Sequence, residues 1–278
     1  MRVAVLTDST AYIPVELRKK YNIHMVPLSV VFENDSYREE IDLTTEEFYE
    51  KLRNSEKLPT TSQPSVGTIL EKLEELANDY DAVVSIHLSS KISGTYQAVV
   101  SAGEMVEGIK VYAYDSEYSA MVQGFYVLAA AEMALEGKNP EEITVHLDEI
   151  KSKINAYFMV DDLTNLQRGG RLSNAQAIVG SLLKIKPILH MVDGYILPFE
   201  KIRTRRKALA KIIEMLEADA AQGKASKVVF IHGNDEAAAI ELRDQFKAKY
   251  PQIETYLSYF GPVIGTHLGE HSIGVSWY

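Results

Sequence analysis

Seven consecutive residues of this 278-residue chain, Ser89 to Thr95, carry four hydroxyl side chains (Ser89, Ser90, Ser93 and Thr95) and one glycine, Gly94. Before them stands a short apolar run with Val83, Val84 and Ile86, which suits a buried strand. After them Gln97-Ala98-Val99-Val100 has no helix breaker and suits a helix. A strand that enters a helix through such a loop leaves backbone N–H groups unpaired at the helix start. The helix dipole adds partial positive charge at the same place. That arrangement can hold an oxyanion, either a phosphate or a carboxylate. A plainer role is also open, with Ser93 as an N-cap and Gly94 easing the turn.

Similar loops recur along the chain. Thr7-Asp8-Ser9-Thr10 follows the apolar run Val3 to Leu6. Pro59 to Ser65 reads PTTSQPS and precedes an amphipathic helix, Val66 to Ala77. Asp115-Ser116-Glu117-Tyr118-Ser119 follows a strand from Lys110 to Tyr114. Two arginines, Arg168 and Arg171, flank Gly169-Gly170, which reads as a flexible hinge, and could clamp an anion or decorate a solvated loop. His267 sits in a glycine-rich turn, within Gly261 to Gly269, where a ligand could approach closely. A hydrolase triad could be drawn from Ser93, His267 and Asp115.

Other chemistries lack their signatures. There is no G-x-x-x-x-G-K-[ST] loop, no G-x-G-x-x-G after the first strand and no G-x-S-x-G elbow. The seven histidines lack H-E-x-x-H spacing, and no cysteine is present, so no metal site is expected. The net charge of −10 speaks against nucleic acid or an anionic lipid surface as partner. The apolar run at the N-terminus is too short for a signal peptide, and no run approaches the ~20 apolar residues of a membrane span. A soluble cytoplasmic protein is expected.

The elements that must position these loops alternate. Strand and helix follow one another through the first half, which predicts a mainly parallel sheet with helices on both faces. His24 to Phe32 reads as one strand, with Pro27 marking an edge or bulge. Asp35 and Ser36 read as a turn. Thr44 with Glu47, and Asn139 with Glu142, read as capping boxes. In the second half Tyr157 to Val160 opens a new unit, and Asn174 to Leu183 reads as a helix. Asp193-Gly194 joins two strands as a hairpin. Lys201 to about Ala221 reads as a basic helix, followed by strand, helix and two more strands. Ligands of such sheets bind beyond the carboxyl ends of the strands, so the polar loops should converge there. The fold class is α/β: a mainly parallel N-terminal domain, residues 1–156, and a second α/β domain with a mixed sheet, residues 157–278.

The ordered motifs TDST (7–10), TSQPS (61–65), LSSKISGTYQ (88–97), DS (115–116), GGRLS (169–173), LLKIKPIL (182–189) and GPVIGTHLG (261–269) resemble the DegV family over nearly the whole chain. The resemblance implies a protein that binds a long-chain fatty acid in a tunnel between two α/β domains. Some such proteins, called FakB, carry the acyl group for a bacterial fatty acid kinase. A separate kinase subunit phosphorylates the bound carboxylate, and the acyl phosphate feeds phospholipid synthesis. By the same resemblance the carboxylate meets Thr61 and Ser93, with His267 in the network and Ser62, Gly94 and Thr95 as neighbours. Arg171 supports the head group, and Arg203 and Arg205 lie where the kinase docks. No catalytic residue and no cofactor are implied, and membrane contact is at most transient.

Ile178, Leu182, Leu183, Ile188 and Leu189 could line an apolar tunnel. Burying a tail of ~14 methylenes gains on the order of 11 kcal/mol against water. A membrane offers the same gain per methylene, so head-group recognition and tunnel shape must decide affinity. Two alternatives stand beside this reading: a serine hydrolase of acyl esters using Ser93 and His267, and a binder of a small phosphorylated ligand.

Overall fold

A computed structural model describes residues 1–161, 163–173 and 186–278. The expected helix over 174–183, with Ile178, Leu182 and Leu183, falls outside the described residues.

The chain forms two compact units, one from Met1–Leu43 with Thr61–Ser152 and one from Thr44–Thr60 with Lys153–Tyr278. In the first, β1 (Val3–Asp8), β2 (Ile23–Val26), β6 (Ala82–His87) and β7 (Lys110–Asp115) form a parallel sheet in the order β2-β1-β6-β7. Every residue of β1 and β6 is buried, as expected of central parallel strands. Ala4, Leu6 and Val83 point to one face. There they meet Ile69, Leu73 and Leu76 of α3 (Val66–Ala77) and Ala98, Val99 and Ala102 of α4 (Thr95–Gly103). α5 (Ala120–Leu135) and α6 (Pro140–Lys151) pack on the other face. A small sheet of β3 (Ser29–Phe32), β4 (Asp35–Arg38) and β5 (Thr60–Ser62), in the order β4-β3-β5, carries the start of the TSQPS motif.

The second unit has a mixed sheet. To β8 (Asn155–Met159), β9 (Ile188–Val192) and β10 (Tyr195–Glu200) it adds β11 (Lys227–His232), β12 (Glu254–Tyr259) and β13 (Ile273–Trp277). The order is β10-β9-β8-β13-β11-β12, and only β11 and β12 among these paired strands run parallel. Ile212 and Leu216 of α8 (Arg205–Ala221) and Phe246 of α9 (Glu236–Lys249) cover one face, over Phe230, Val275 and Trp277. Both capping boxes form, at Thr44 and Asn139. Asp193 and Gly194 both take positive φ, at 49° and 81°, as the tight hairpin requires.

Several local expectations are corrected. His24 to Phe32 is not one strand: it breaks at Pro27, which has no N–H to continue a ladder, and its halves join different sheets. Asp35 and Ser36 are not the turn but the start of β4; the reversal falls at Glu33, in the left-handed region. The basic helix starts at Arg205 rather than Lys201, because the Thr204 hydroxyl caps it. A single cut near Ala156 does not anticipate α2 (Thr45–Asn54), which packs with the second unit. There the Tyr49 hydroxyl donates to the Phe260 carbonyl at 2.8 Å, and Arg53 pairs with Glu270 at 2.6 Å.

Candidate functional site

In the first unit the parallel strands β1, β6 and β7 deliver their polar loops to one sheet edge, and hydrogen bonds tie the loops together. The Leu88 amide donates to Asp8 at 3.0 Å. The Ser89 amide donates to the Tyr118 carbonyl at 2.8 Å, and the Ser116 amide to the His87 carbonyl at 3.1 Å. The Ser90 amide reaches the Asp115 carboxylate at 3.2 Å. Within the loop the Lys91 amide donates to the Ser89 hydroxyl, and the Ile92 and Ser93 amides to the Ser89 carbonyl.

Ser93 is not the N-cap of α4; Gly94 is, and it has no side chain to cap with. The Ser93 hydroxyl instead accepts from the Thr95 amide at 3.3 Å and is hydrogen-bonded to the Thr95 hydroxyl at 2.9 Å. Ser93 is half-buried and Thr95 buried. A helix start without a side-chain cap suits an external anion.

The TSQPS loop meets this one at Gly94. A β-carbon on Gly94 would overlap the Gln63 side-chain oxygen, so the carboxamide lies directly over the glycine. Thr61 and Ser62 stand on β5, two residues and one residue before Gln63; the Ser62 hydroxyl donates to the Gln63 carbonyl at 3.2 Å, and Ser65 caps α3. Replacement of Gly94 by alanine is expected to leave the melting temperature within a few degrees, because a flexible side chain can swing aside. It should nevertheless weaken ligand retention by parting the two loops. Thermal denaturation and ligand titration of the same variant check both halves of that expectation.

In the second unit His267 lies in the last turn of a helix, α10 (Pro262–Leu268), not in a glycine-rich turn. Pro262 supplies a pre-set first helical residue. Gly265 allows close packing: a β-carbon there would stand 2.6 Å from the Tyr49 hydroxyl and 2.9 Å from the Phe48 ring. Arg168 ends α7 (Thr164–Arg168), and Gly169-Gly170 is a helix stop rather than a hinge. The Arg171 amide returns to the Leu166 carbonyl and the Gly170 amide to that of Gln167, with Gly170 left-handed at φ 68°. This stop lays Gly169 on the His267 ring, where a β-carbon would strike Nδ1. The Arg171 guanidinium donates to the Gly169 carbonyl at 2.5 Å. Burial, and then the Arg171 charge, push the His267 pKa down to about 4. The imidazole is therefore neutral at pH 7.

Arg205 ion-pairs with Asp235 at 2.6 Å and also donates to the His271 carbonyl, whereas Arg203 is exposed. The proposed acid of a Ser93/His267/Asp115 triad is used otherwise. Asp115 accepts backbone amides from Ser90 and from Glu117, the latter at 3.0 Å. Among the described residues no group of three His, Cys, Asp or Glu side chains is placed to hold a metal, and no helix is long and apolar enough to cross a membrane.

Sequence reasoning missed the buried hub beneath the loops. Asp8, His87, Ser85 and Gln123 are all completely buried. His87 Nδ1 lies 2.9 Å from Asp8, and its Nε2 lies 2.7 Å from the Ser85 hydroxyl. The signal was present: Ser85 and His87 alternate with apolar residues on one strand, and Asp8 ends its parallel neighbour.

In this α/β fold the strand-end loops converge beside a helix start with no side-chain cap, an arrangement that suits a small anionic group. The chain belongs to the DegV family: the family profile described as "Uncharacterised protein, DegV family" matches residues 2–278. Protein DegV of Bacillus subtilis is 54% identical over 278 residues, covering 100% of this chain and 99% of that protein. The crystal structure of DegV, a fatty acid binding protein from Bacillus subtilis, superposes with a TM-score of 0.95 at 54% identity, over 100% of this chain and 99% of the other. A DegV family protein from Thermus thermophilus, whose structure describes fatty acid binding, gives 0.92 at 32% identity, over 100% and 99% of the two chains.

Proposed function

We propose that this protein binds a long-chain fatty acid and holds its carboxylate at the TSQPS and LSSKISGTY loops. Thr61 and Ser93 donate to the carboxylate, and Ser62, Gly94 and Thr95 shape its surroundings. His267, neutral at physiological pH, and Arg171 belong to the head-group machinery. The observation that carries the reading is the seating of Gln63 on Gly94, which brings two hydroxyl-bearing loops together beside an uncapped helix start. A carboxylate favours neutral donors at a helix N-terminus. The fatty-acid-binding relatives, at 54% and 32% identity, support the ligand class.

The protein presents the bound acid to the catalytic subunit of a fatty acid kinase and has no turnover of its own. Arg203 offers an exposed cation for that partner, while Arg205 also serves the fold through Asp235. The kinase step rests on the resemblance of motifs, and the acyl phosphate would feed phospholipid synthesis. The protein would act in the cytoplasm, with membrane contact only during exchange and no nucleic acid partner.

Purified protein, denatured and extracted with organic solvent, is expected to release a long-chain acid identifiable by mass. Ser93→Ala should weaken fatty-acid binding about 10- to 100-fold, the loss of one hydrogen bond to a charged group. Unchanged affinity in that variant would remove the head-group assignment.

A further inference from the structure

Ser85, His87 and Asp8 form a line with the spacing of a nucleophile–base–acid triad, but it cannot act as one. Ser85 is completely buried on a central strand, two residues before His87, where no substrate atom can reach. Asp8 accepts hydrogen bonds and cannot donate them when ionised, so His87 Nδ1 carries a proton toward it. The other ring nitrogen, Nε2, is hydrogen-bonded to the Ser85 hydroxyl at 2.7 Å.

The carboxylate is the focus of the array. Its Oδ2 accepts from His87 Nδ1 at 2.9 Å, the Leu88 amide at 3.0 Å and Gln123 Nε2 at 3.1 Å. Its Oδ1 faces the Thr10 amide at 3.0 Å and the Thr10 hydroxyl at 2.6 Å. These donors come from the turn after β1, the end of β6 and helix α5. A buried charge costs desolvation and is weak evidence for stability alone, whereas it can enforce one arrangement of its partners. The arrangement enforced here is the exit of β6 into the hydroxyl loop. From Leu88 to Ser93 every amide has a fixed acceptor: Asp8, the Tyr118 carbonyl, Asp115, the Ser89 hydroxyl and, twice, the Ser89 carbonyl. The loop has no slack between the carboxylate and Ser93.

We infer that Asp8 is the positioning residue of the head-group site, setting the Ser93 hydroxyl through the Leu88 amide and His87. The inference rests on the reading that Ser93 receives the carboxylate. It extends the site to a buried residue that touches no ligand.

A double-mutant cycle in the full chain tests it, with oleate titrated into delipidated protein as the probe. Asp8→Asn and Ser93→Ala should each weaken binding about tenfold or more. The double variant should bind no more weakly than the weaker single, because Asp8 acts only through Ser93. Losses that multiply would overturn the inference and leave Asp8 a purely structural residue. Parental affinity in Asp8→Asn, with Ser93→Ala weakened, would overturn it while leaving the proposed function intact. Parental affinity in Ser93→Ala would fell the carboxylate reading itself, and this inference with it. Should Asp8→Asn not fold, Gln123→Met removes one donor from the same oxygen and must obey the same non-additive pattern against Ser93→Ala.

Discussion

Tyr49→Ala should be the most destabilising of the substitutions considered. Tyr49 is completely buried, and its ring packs edge-on to Phe48 and against Gly265 of α10. Removing a buried aromatic ring costs about 3–5 kcal/mol. Its hydroxyl is bonded to the Phe260 carbonyl, and orphaning that acceptor costs about 1–3 kcal/mol more. Whole domains are stable by only about 5–15 kcal/mol. Urea unfolding should therefore show a large fall in midpoint, and Tyr49→Phe, which keeps the ring, should lose only the smaller part. A midpoint within experimental error of the parent would mean that α2 does not hold α10 in place.

The second large effect is a pH dependence carried by His267. Its ordinary pKa of 6.5 falls to about 4 in the fold, through burial first and the Arg171 charge second. Between those values the unfolded chain binds the proton more tightly than the folded one. Stability from this group is thus complete above about pH 6.5 and is lost as the pH falls toward 4. The gap corresponds to about 3 kcal/mol. His267→Gln cannot titrate, so its unfolding free energy should change less between pH 7.5 and pH 4, by about that amount. Parallel pH profiles for parent and variant would show that the imidazole is not held neutral by its surroundings.

Much of the fold was legible because its signals are local. Caps at Thr44 and Asn139, the Asp193-Gly194 hairpin and the apolar runs of β1, β6 and β7 each depend on residues a few positions apart. The errors came where distant packing overrides local preference. Gly261 to Gly269 reads as a turn by composition. It is helical because Pro262 starts it and because Gly265 lets the Phe48 and Tyr49 rings approach. Gly169-Gly170 reads as a hinge, yet its backbone closes the end of α7 and presses on His267.

The sequence by itself determined the α/β class, the hydroxyl-rich loops at strand ends and the family those motifs mark. Each of these is written in residue type and short spacing. Tertiary structure alone decided that α2 packs with the second unit and that Gln63 rests on Gly94. It also decided that Asp8 and His87, 79 positions apart, are hydrogen-bonded to each other. Parallel strands place such residues side by side only after long crossovers have closed, and no local pattern encodes which loops those crossovers will join.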